Sequence, residues 1–296
     1  MPRIQVEITH PDRVMFPTDG ITKRELADYY SQVAGAMLPH LKGRALTVQR
    51  FPRGIGEKGF VQQDFDDALP DWMSGIEVDK EGGTLVHPLA ERPEALRWLA
   101  NQNCITLHVW QSRQSNLHKP DRLVFDLDPS DADFAVVRAT ARTVADVLDD
   151  LGLARYVQTT GSRGLHVVVP LRAEADFDTV RQFARAVAEV VAADDAAHRT
   201  VEARKDKRDG RIYLDVMRNA YAQTAVAPYS VRARAGAPVA TPLRWDELDT
   251  RGLRPDRFSI RDVPERLAAH GDPWADMFRH ARSLTGPLER LAKLRA

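Results

Sequence analysis

The chain has 296 residues, 43% apolar and 28% charged, which suits a globular protein with a sizeable core and excludes a disordered or fibrous one. Lys and Arg total 42, as do Asp and Glu, so the chain is not basic overall and any site for a polyanion must be local. A single cysteine, Cys104, excludes an internal disulfide and fits a reducing compartment.

Residues 1–14, MPRIQVEITHPDRV, alternate apolar and polar and predict a strand, not a signal peptide. No run is long enough to span a membrane, and a cytoplasmic, nucleoid-associated protein is expected. The stretch 21–41 has apolar residues at helical spacing, Thr22 as N-cap and Glu25 three residues on, which predicts a helix. A strand follows at 44–51, a helix at 92–103 opening on Pro93, and a strand at 105–110. RLVFDLD, 122–128, reads as a strand, and 132–152 as a long helix ending at Gly152. RYVQTTGSRGLHVVVPL, 155–171, reads as strand, turn, strand; 177–195 is a helix, and RIYLDVM, 211–217, a strand. Beyond about 240 the chain is mixed and helical, and no repeat or low-complexity segment interrupts it.

The order from 122 to 217 is strand–helix–strand–strand–helix–strand. This β-α-β-β-α-β pattern makes an antiparallel sheet with both helices on one side, leaving the other free for a ligand. On the first of its strands Asp126 and Asp128 point to one face. Asp215 is a lone acid in the last apolar strand, and carboxylates are rarely buried without a partner. Three converging acids would repel one another without a cation, and magnesium or manganese, which prefer oxygen ligands, would resolve the conflict. The plain alternative is a pair of surface acids before Pro129, with Asp128 or Ser130 capping the next helix.

The turn TTGSRGLH gathers Thr160, Ser162, Arg163 and His166 around two glycines, Gly161 and Gly164. A hairpin explains the glycines. Backbone N–H groups, hydroxyls and a guanidinium together also suit phosphate. Neither a P-loop nor a dinucleotide fingerprint is present. Two stretches, 202–219 and 229–236, are locally rich in Lys and Arg, and each alone reads as a solvated loop face. Within the second, Arg232 and Arg234 alternate, as on one face of a strand.

A D-x-D strand, an S-G-x-[KR]-G-x-H-like turn and a later lone aspartate, in this order, resemble the archaeo-eukaryotic primase superfamily. THPDRVMFP, TKRELADYY, LHVWQSR, PDRLVFDLDP, TTGSRGLHVVVPL, YLDVMRN and AVAPYSVRARAGAPVATPLRWDEL resemble, more closely, the polymerase domain of bacterial ATP-dependent DNA ligase D and its stand-alone homologues. The resemblance covers most of 9–248. It implies a mixed α/β (α+β) primase-like fold, with an RRM-like catalytic sheet and an N-terminal α/β part packed against it. One primase-polymerase domain over 1–296 is expected, with an N-terminal part at 1–120, the catalytic core at 121–240 and a helical segment at 241–296. Asp126, Asp128 and Asp215 would hold two Mn²⁺ or Mg²⁺ ions. His108, Thr160, Ser162, Arg163, Gly164, His166, Arg218, Arg232 and Arg234 would contact the nucleotide. Arg13 and Lys23 would hold a 5′-phosphate of the downstream DNA strand, and Phe60 would meet the template. The family pattern is departed from at Val61, Gln63 and Gln223, which bears on template stacking and 5′-phosphate binding.

The implied activity is a stand-alone template-directed polymerase adding short (ribo)nucleotide patches in gap repair or end joining. Its partners would be primer–template or broken DNA, nucleoside triphosphates, a separate ligase and an end-binding protein, with no membrane. A two-metal nuclease or phosphohydrolase, or a non-catalytic RRM-like nucleic-acid-binding module, are the alternatives.

Overall fold

The computed structural model describes residues 4–130 and 133–294. In chain order the elements begin with β1 (Val14–Phe16), β2 (Ile21–Thr22), α1 (Lys23–Leu41), β3 (Leu46–Arg50) and β4 (Phe60–Gln62). Next come β5 (Gly75–Lys80), β6 (Gly83–Pro88), α2 (Pro93–Asn101), β7 (Cys104–Trp110), β8 (Arg122–Asp128) and α3 (Phe134–Asp150). Then follow β9 (Tyr156–Thr159), β10 (Leu165–Pro170), α4 (Phe177–Asp194), β11 (Arg199–Thr200), β12 (Ile212–Asp215) and β13 (Thr224–Val226). The last are β14 (Pro242–Leu243), α5 (Asp262–His270) and α6 (Thr285–Leu294). None of the helices among the described residues is long and apolar enough to cross a membrane.

The chain forms two compact units. One comprises 1–110, 226–241 and 256–272; the other comprises 111–225, 242–255 and 273–296.

In the first unit, α1 starts where the sequence directs. Thr22 accepts from the Glu25 N–H and the Glu25 carboxylate accepts from the Thr22 N–H, a complete capping box. Leu26, Tyr30, Val33 and Met37 then recur on one face and pack with Leu96 and Leu99 of α2 and with Val48, Leu107 and Val109 of the antiparallel strands β7-β3-β4. The expected N-terminal strand is not formed: residues 4–13 lie in no ladder. Their alternation is real, with Ile8 buried between exposed neighbours. Their backbone partners, however, are side chains of α2. The Thr9 N–H donates to Asn101 Oδ1, and Arg97 donates to the Val6 carbonyl.

The second unit is built on the six-stranded sheet β11-β12-β8-β10-β9-β14. Its four central strands are antiparallel neighbours in the order β12-β8-β10-β9, the pattern expected from β-α-β-β-α-β. Leu123, Phe125 and Leu127 are wholly buried on one face of β8, the face the periodicity assigns to α3 and α4. The opposite face is not free along its whole length, as the sequence suggested. Val124 and Val168 are apolar there too, and Trp274 and Met277 cover them, with Tyr156 and Phe278 packed alongside. Only the half bearing Asp126 and Asp128 stays accessible, because only there does the strand switch from apolar to acidic. Asp133, not Asp128 or Ser130, caps α3; the expected first helical residue, 132, lies outside the described residues.

Candidate active site

The second unit brings the three acids together. Asp126 of β8 lies opposite Asp215 of β12 on one side and opposite His166 of β10 on the other. Residues directly opposite across a ladder share a face, with Cβ atoms about 4.5–5.5 Å apart. Asp128 is two residues along the same strand, opposite Tyr213. Tertiary pairing thus sets all three carboxylates on one sheet face, although Asp215 is far away in sequence.

Guanidinium groups hold these charges. Arg218 Nε lies 3.2 Å from Asp126 Oδ2 and 3.8 Å from Asp215 Oδ2. Arg163 and Arg208 approach the two oxygens of Asp128 at 3.3 and 3.2 Å. His166 Nε2 is 3.4 Å from Asp126 Oδ1, and the Gln158 side-chain amide faces its Nδ1 at 3.2 Å. Burial pushes the Asp126 carboxyl up, but His166 and Arg218 outweigh it and hold the group at about 2. Asp215 goes the other way: burial and the Asp126 charge raise it, against the Met217 N–H and Arg218. Burial and Asp215 push the Tyr213 hydroxyl up to about 12; it donates to Asp215 Oδ1 at 3.3 Å.

The glycine turn abuts this row. The Thr160 N–H and hydroxyl both donate to the Gly164 carbonyl at 3.1 Å, and the Gly164 N–H donates to the Thr160 hydroxyl, closing the loop. Gly161 adopts φ +62. A Cβ on Gly164 would lie 2.0 Å from the Leu127 carbonyl oxygen, so only glycine lets β10 begin this close to the acidic end of β8. Ser162 is half-buried in the turn and Arg163 is exposed.

The remaining predicted residues belong to the first unit. His108 lies on β7 opposite Thr47 of β3. Arg232 and Arg234 do not alternate along a strand. The Arg234 N–H turns back onto the Arg232 carbonyl at 2.8 Å, because the chain bends at Gly236 to bring Val239 against Val231. Buried hydroxyls root this arm. Tyr30 donates to the Ile105 carbonyl at 2.6 Å and accepts from the Val231 N–H at 3.2 Å; Ser230 accepts from the Leu107 N–H at 2.8 Å. Lys23 is buried at the first position of α1, donating to the carbonyl and hydroxyl of Thr9 at 2.9 and 3.1 Å. Burial, with Arg13 and Arg50 adding positive charge, lowers its ammonium to about 8. Phe60 is exposed on the edge strand β4, with the Arg50 guanidinium 5.6 Å from its ring centre, and Val61 beside it is exposed as well.

Sequence reasoning missed several members. Arg208 hides in a stretch read as a solvated loop. Its neighbours Lys205 and Lys207 are exposed, whereas it folds back, donates to the Glu202 and Ala203 carbonyls and stacks 4.2 Å over the Tyr213 ring. No local spacing distinguishes it, though the Asp209–Gly210 turn before β12 is a usable sign of that reversal. Tyr213, Gln158 and Asn219 were passed over as strand or loop residues, and Arg50 as a strand terminus.

No three His, Cys, Asp or Glu side chains form a ready-made metal cage among the described residues; the acids close on arginines instead. The donor set nonetheless fits a hard divalent cation. It offers carboxylate oxygens on one face, already arranged around positive charge at Arg218, and at Asp215 a charge that its neighbours leave incompletely compensated.

A β-α-β-β-α-β sheet carrying an acidic row beside a glycine turn is the arrangement of the primase-like fold class. The profile described as LigD, primase-polymerase domain, matches residues 22–274, and the chain belongs to that family. It is 35% identical over 271 residues to the multifunctional non-homologous end joining protein LigD of Mycolicibacterium smegmatis, covering 90% of this chain and 35% of that one. It is 31% identical to the bifunctional non-homologous end joining protein LigD of Bacillus subtilis, covering 98% and 47%. The chain therefore spans a third to a half of the length of these curated relatives. The polymerase domain of Mycobacterium tuberculosis ligase D, solved in complex with DNA, superposes with a TM-score of 0.89 at 34% identity, covering 94% of this chain and 99% of that one.

Proposed function

We propose that this protein is a template-directed polymerase that adds short patches of (ribo)nucleotides to a primer 3′-hydroxyl during DNA gap repair or end joining. The observation that carries the reading is the row His166–Asp126–Asp215 on three adjacent strands, with Asp128 and the arginine-bearing turn beside it. Asp126, Asp128 and Asp215 would hold Mn²⁺ or Mg²⁺, two ions in the working enzyme, which when bound polarise phosphate oxygens and favour the attacking alkoxide. The residues of the chain do the positioning. His166 lies against one oxygen of Asp126 and holds that carboxylate in orientation. Arg163, exposed and resting on Asp128, is free to exchange that carboxylate for a triphosphate oxygen. Ser162 and the turn backbone would add neutral donors, and Arg218, in the same unit as the acids, would contact the nucleotide as well. The primer oxygen attacks the α-phosphorus, the bond to the β-phosphate oxygen breaks, and pyrophosphate leaves with that electron pair.

On the DNA side, Arg13 and Lys23, joined by Arg50, would take the 5′-phosphate across a gap, and Phe60 the template base. Val61 and Gln63 would make that template contact less aromatic. The relatives named for end joining, and the related domain solved with DNA, support broken DNA as the substrate. A ligase and an end-binding protein are the proposed partners, in the cytoplasm.

The test is labelled primer–template with nucleoside triphosphates and Mn²⁺. Lengthening with pyrophosphate release is expected, and shortening instead would replace this reading with a phosphohydrolase. Asp126→Ala and Asp215→Ala should each lower extension by more than about 10²-fold while leaving duplex binding intact; a variant that still extends removes that acid from the site.

A further inference from the structure

Asn219 is fully buried, and its side-chain amide is spent on backbone. The Val124 N–H donates to Oδ1 at 2.8 Å, and Nδ2 donates to the carbonyls of Val124 at 2.8 Å and Val216 at 2.9 Å. The reason lies in the sheet. β12 pairs with β8 as far as Asp215 opposite Asp126, then leaves through the single helical turn Met217–Asn219. Two residues further along β8, the N–H and C=O of Val124 face the side that β12 has vacated. An antiparallel rung consists of one donor and one acceptor exchanged by a residue pair. The Asn219 amide presents that donor and acceptor and stands in for the missing rung, sparing two buried backbone groups from going unsatisfied.

The consequence reaches the acids through the chain itself. Arg218, the preceding residue, lies on Asp126 and Asp215. One residue earlier, the Met217 N–H donates to Asp215 Oδ1 at 2.8 Å. Clamping Asn219 to β8 fixes the turn that carries both groups. We infer that Asn219 is a positioning residue: its amide completes the β8 ladder and thereby aims Arg218 at the carboxylate row. The inference rests on the nucleotidyl-transfer reading of that row. Aspartate at this position would set a carboxylate oxygen against the Val124 and Val216 carbonyls, and alanine would leave the turn untethered.

A double-mutant cycle tests it, read both in kcat/KM for primer extension and in equilibrium binding of ATP. Arg218→Ala should cost on the order of 10²–10³-fold in kcat/KM. Asn219→Ala should cost about 10²-fold through misplacement alone. Because the second acts through the first, the double variant should lie within about twofold of Arg218→Ala. Losses that multiply, or an Asn219→Ala protein with unchanged kinetics, overturn the positioning role while leaving the site reading standing. An Arg218→Ala protein with full activity overturns the positioning role as well, whereas an unmutated protein that extends no primer overturns the site reading. Circular dichroism and melting accompany each variant. Should Asn219→Ala fail to fold, Asn219→Ser replaces it, with the same criterion.

Discussion

Lys23 places a cation where two effects oppose it. It opens α1, where the helix dipole disfavours positive charge, and it is buried against Thr9. Its ammonium falls from 10.5 to about 8, burial being the largest cause and Arg13 and Arg50 adding to it. The sign follows from proton counting: between pH 8 and 10.5 the unfolded chain binds more protons, so this residue adds stability as pH rises across that window. A bound phosphate favours the charged form instead. Preference for a 5′-phosphorylated over a 5′-hydroxyl downstream strand should therefore be full below pH 8 and weaken above it, by up to about tenfold per pH unit. Fluorescence anisotropy from pH 7 to 9.5 checks this, and a flat ratio would remove Lys23 from phosphate binding. The same residue shows what sequence hides. Its position is plain from the capping box, but its burial and its neighbour Arg50 are not, because Arg50 lies on β3, a separate element.

At the scale of elements, the second unit's sheet divides its non-helical face between two tasks. The half with Val124 and Val168 is sealed by Trp274, which is also edge-on to Tyr156 at 5.9 Å. The half with Asp126, Asp128 and His166 carries the polar row. Removing the seal should act on stability: Trp274→Ala should cost about 3–5 kcal/mol. A urea titration followed by circular dichroism measures it, and a midpoint shift worth less than about 1 kcal/mol would mean the segment contributes little to the fold. Helix ends were readable where a local signal marked them. The Thr22–Glu25 box, Pro93 and Gly152 all mark helix ends that the structure keeps. The N-terminal strand failed because alternation reports a half-buried extended chain and is silent on what pairs with its backbone; here that partner is α2. The arm carrying Arg232 and Arg234 failed for a similar reason, since a bend at Gly236 outweighs a strand-like pattern.

For the whole molecule, zero net charge means that affinity for DNA must come from local clusters. One terminal 5′-phosphate held by Arg13, Lys23 and Arg50 releases about two counterions, so affinity through that contact should fall by about tenfold between 50 and 200 mM KCl. Arg50→Ala should reduce the slope of log K against log salt by about 1. A salt slope unchanged by that variant would place the DNA contacts elsewhere. The chain runs through its two units three times each, so segments distant in sequence supply each core.

Local periodicity and spacing already hold the alternating acids of β8, the glycine turn, the β-α-β-β-α-β order from 122 to 217 and the motifs that denote the family. Tertiary structure alone decided that Asp215 stands beside Asp126, that Arg208 and Arg218 hold the acids, that Asn219 completes a rung of β8 and that Trp274 closes half the sheet. These are pairings between residues remote along the chain, chosen by strand register and by the need to satisfy every buried charge and backbone group, and no local pattern encodes that choice.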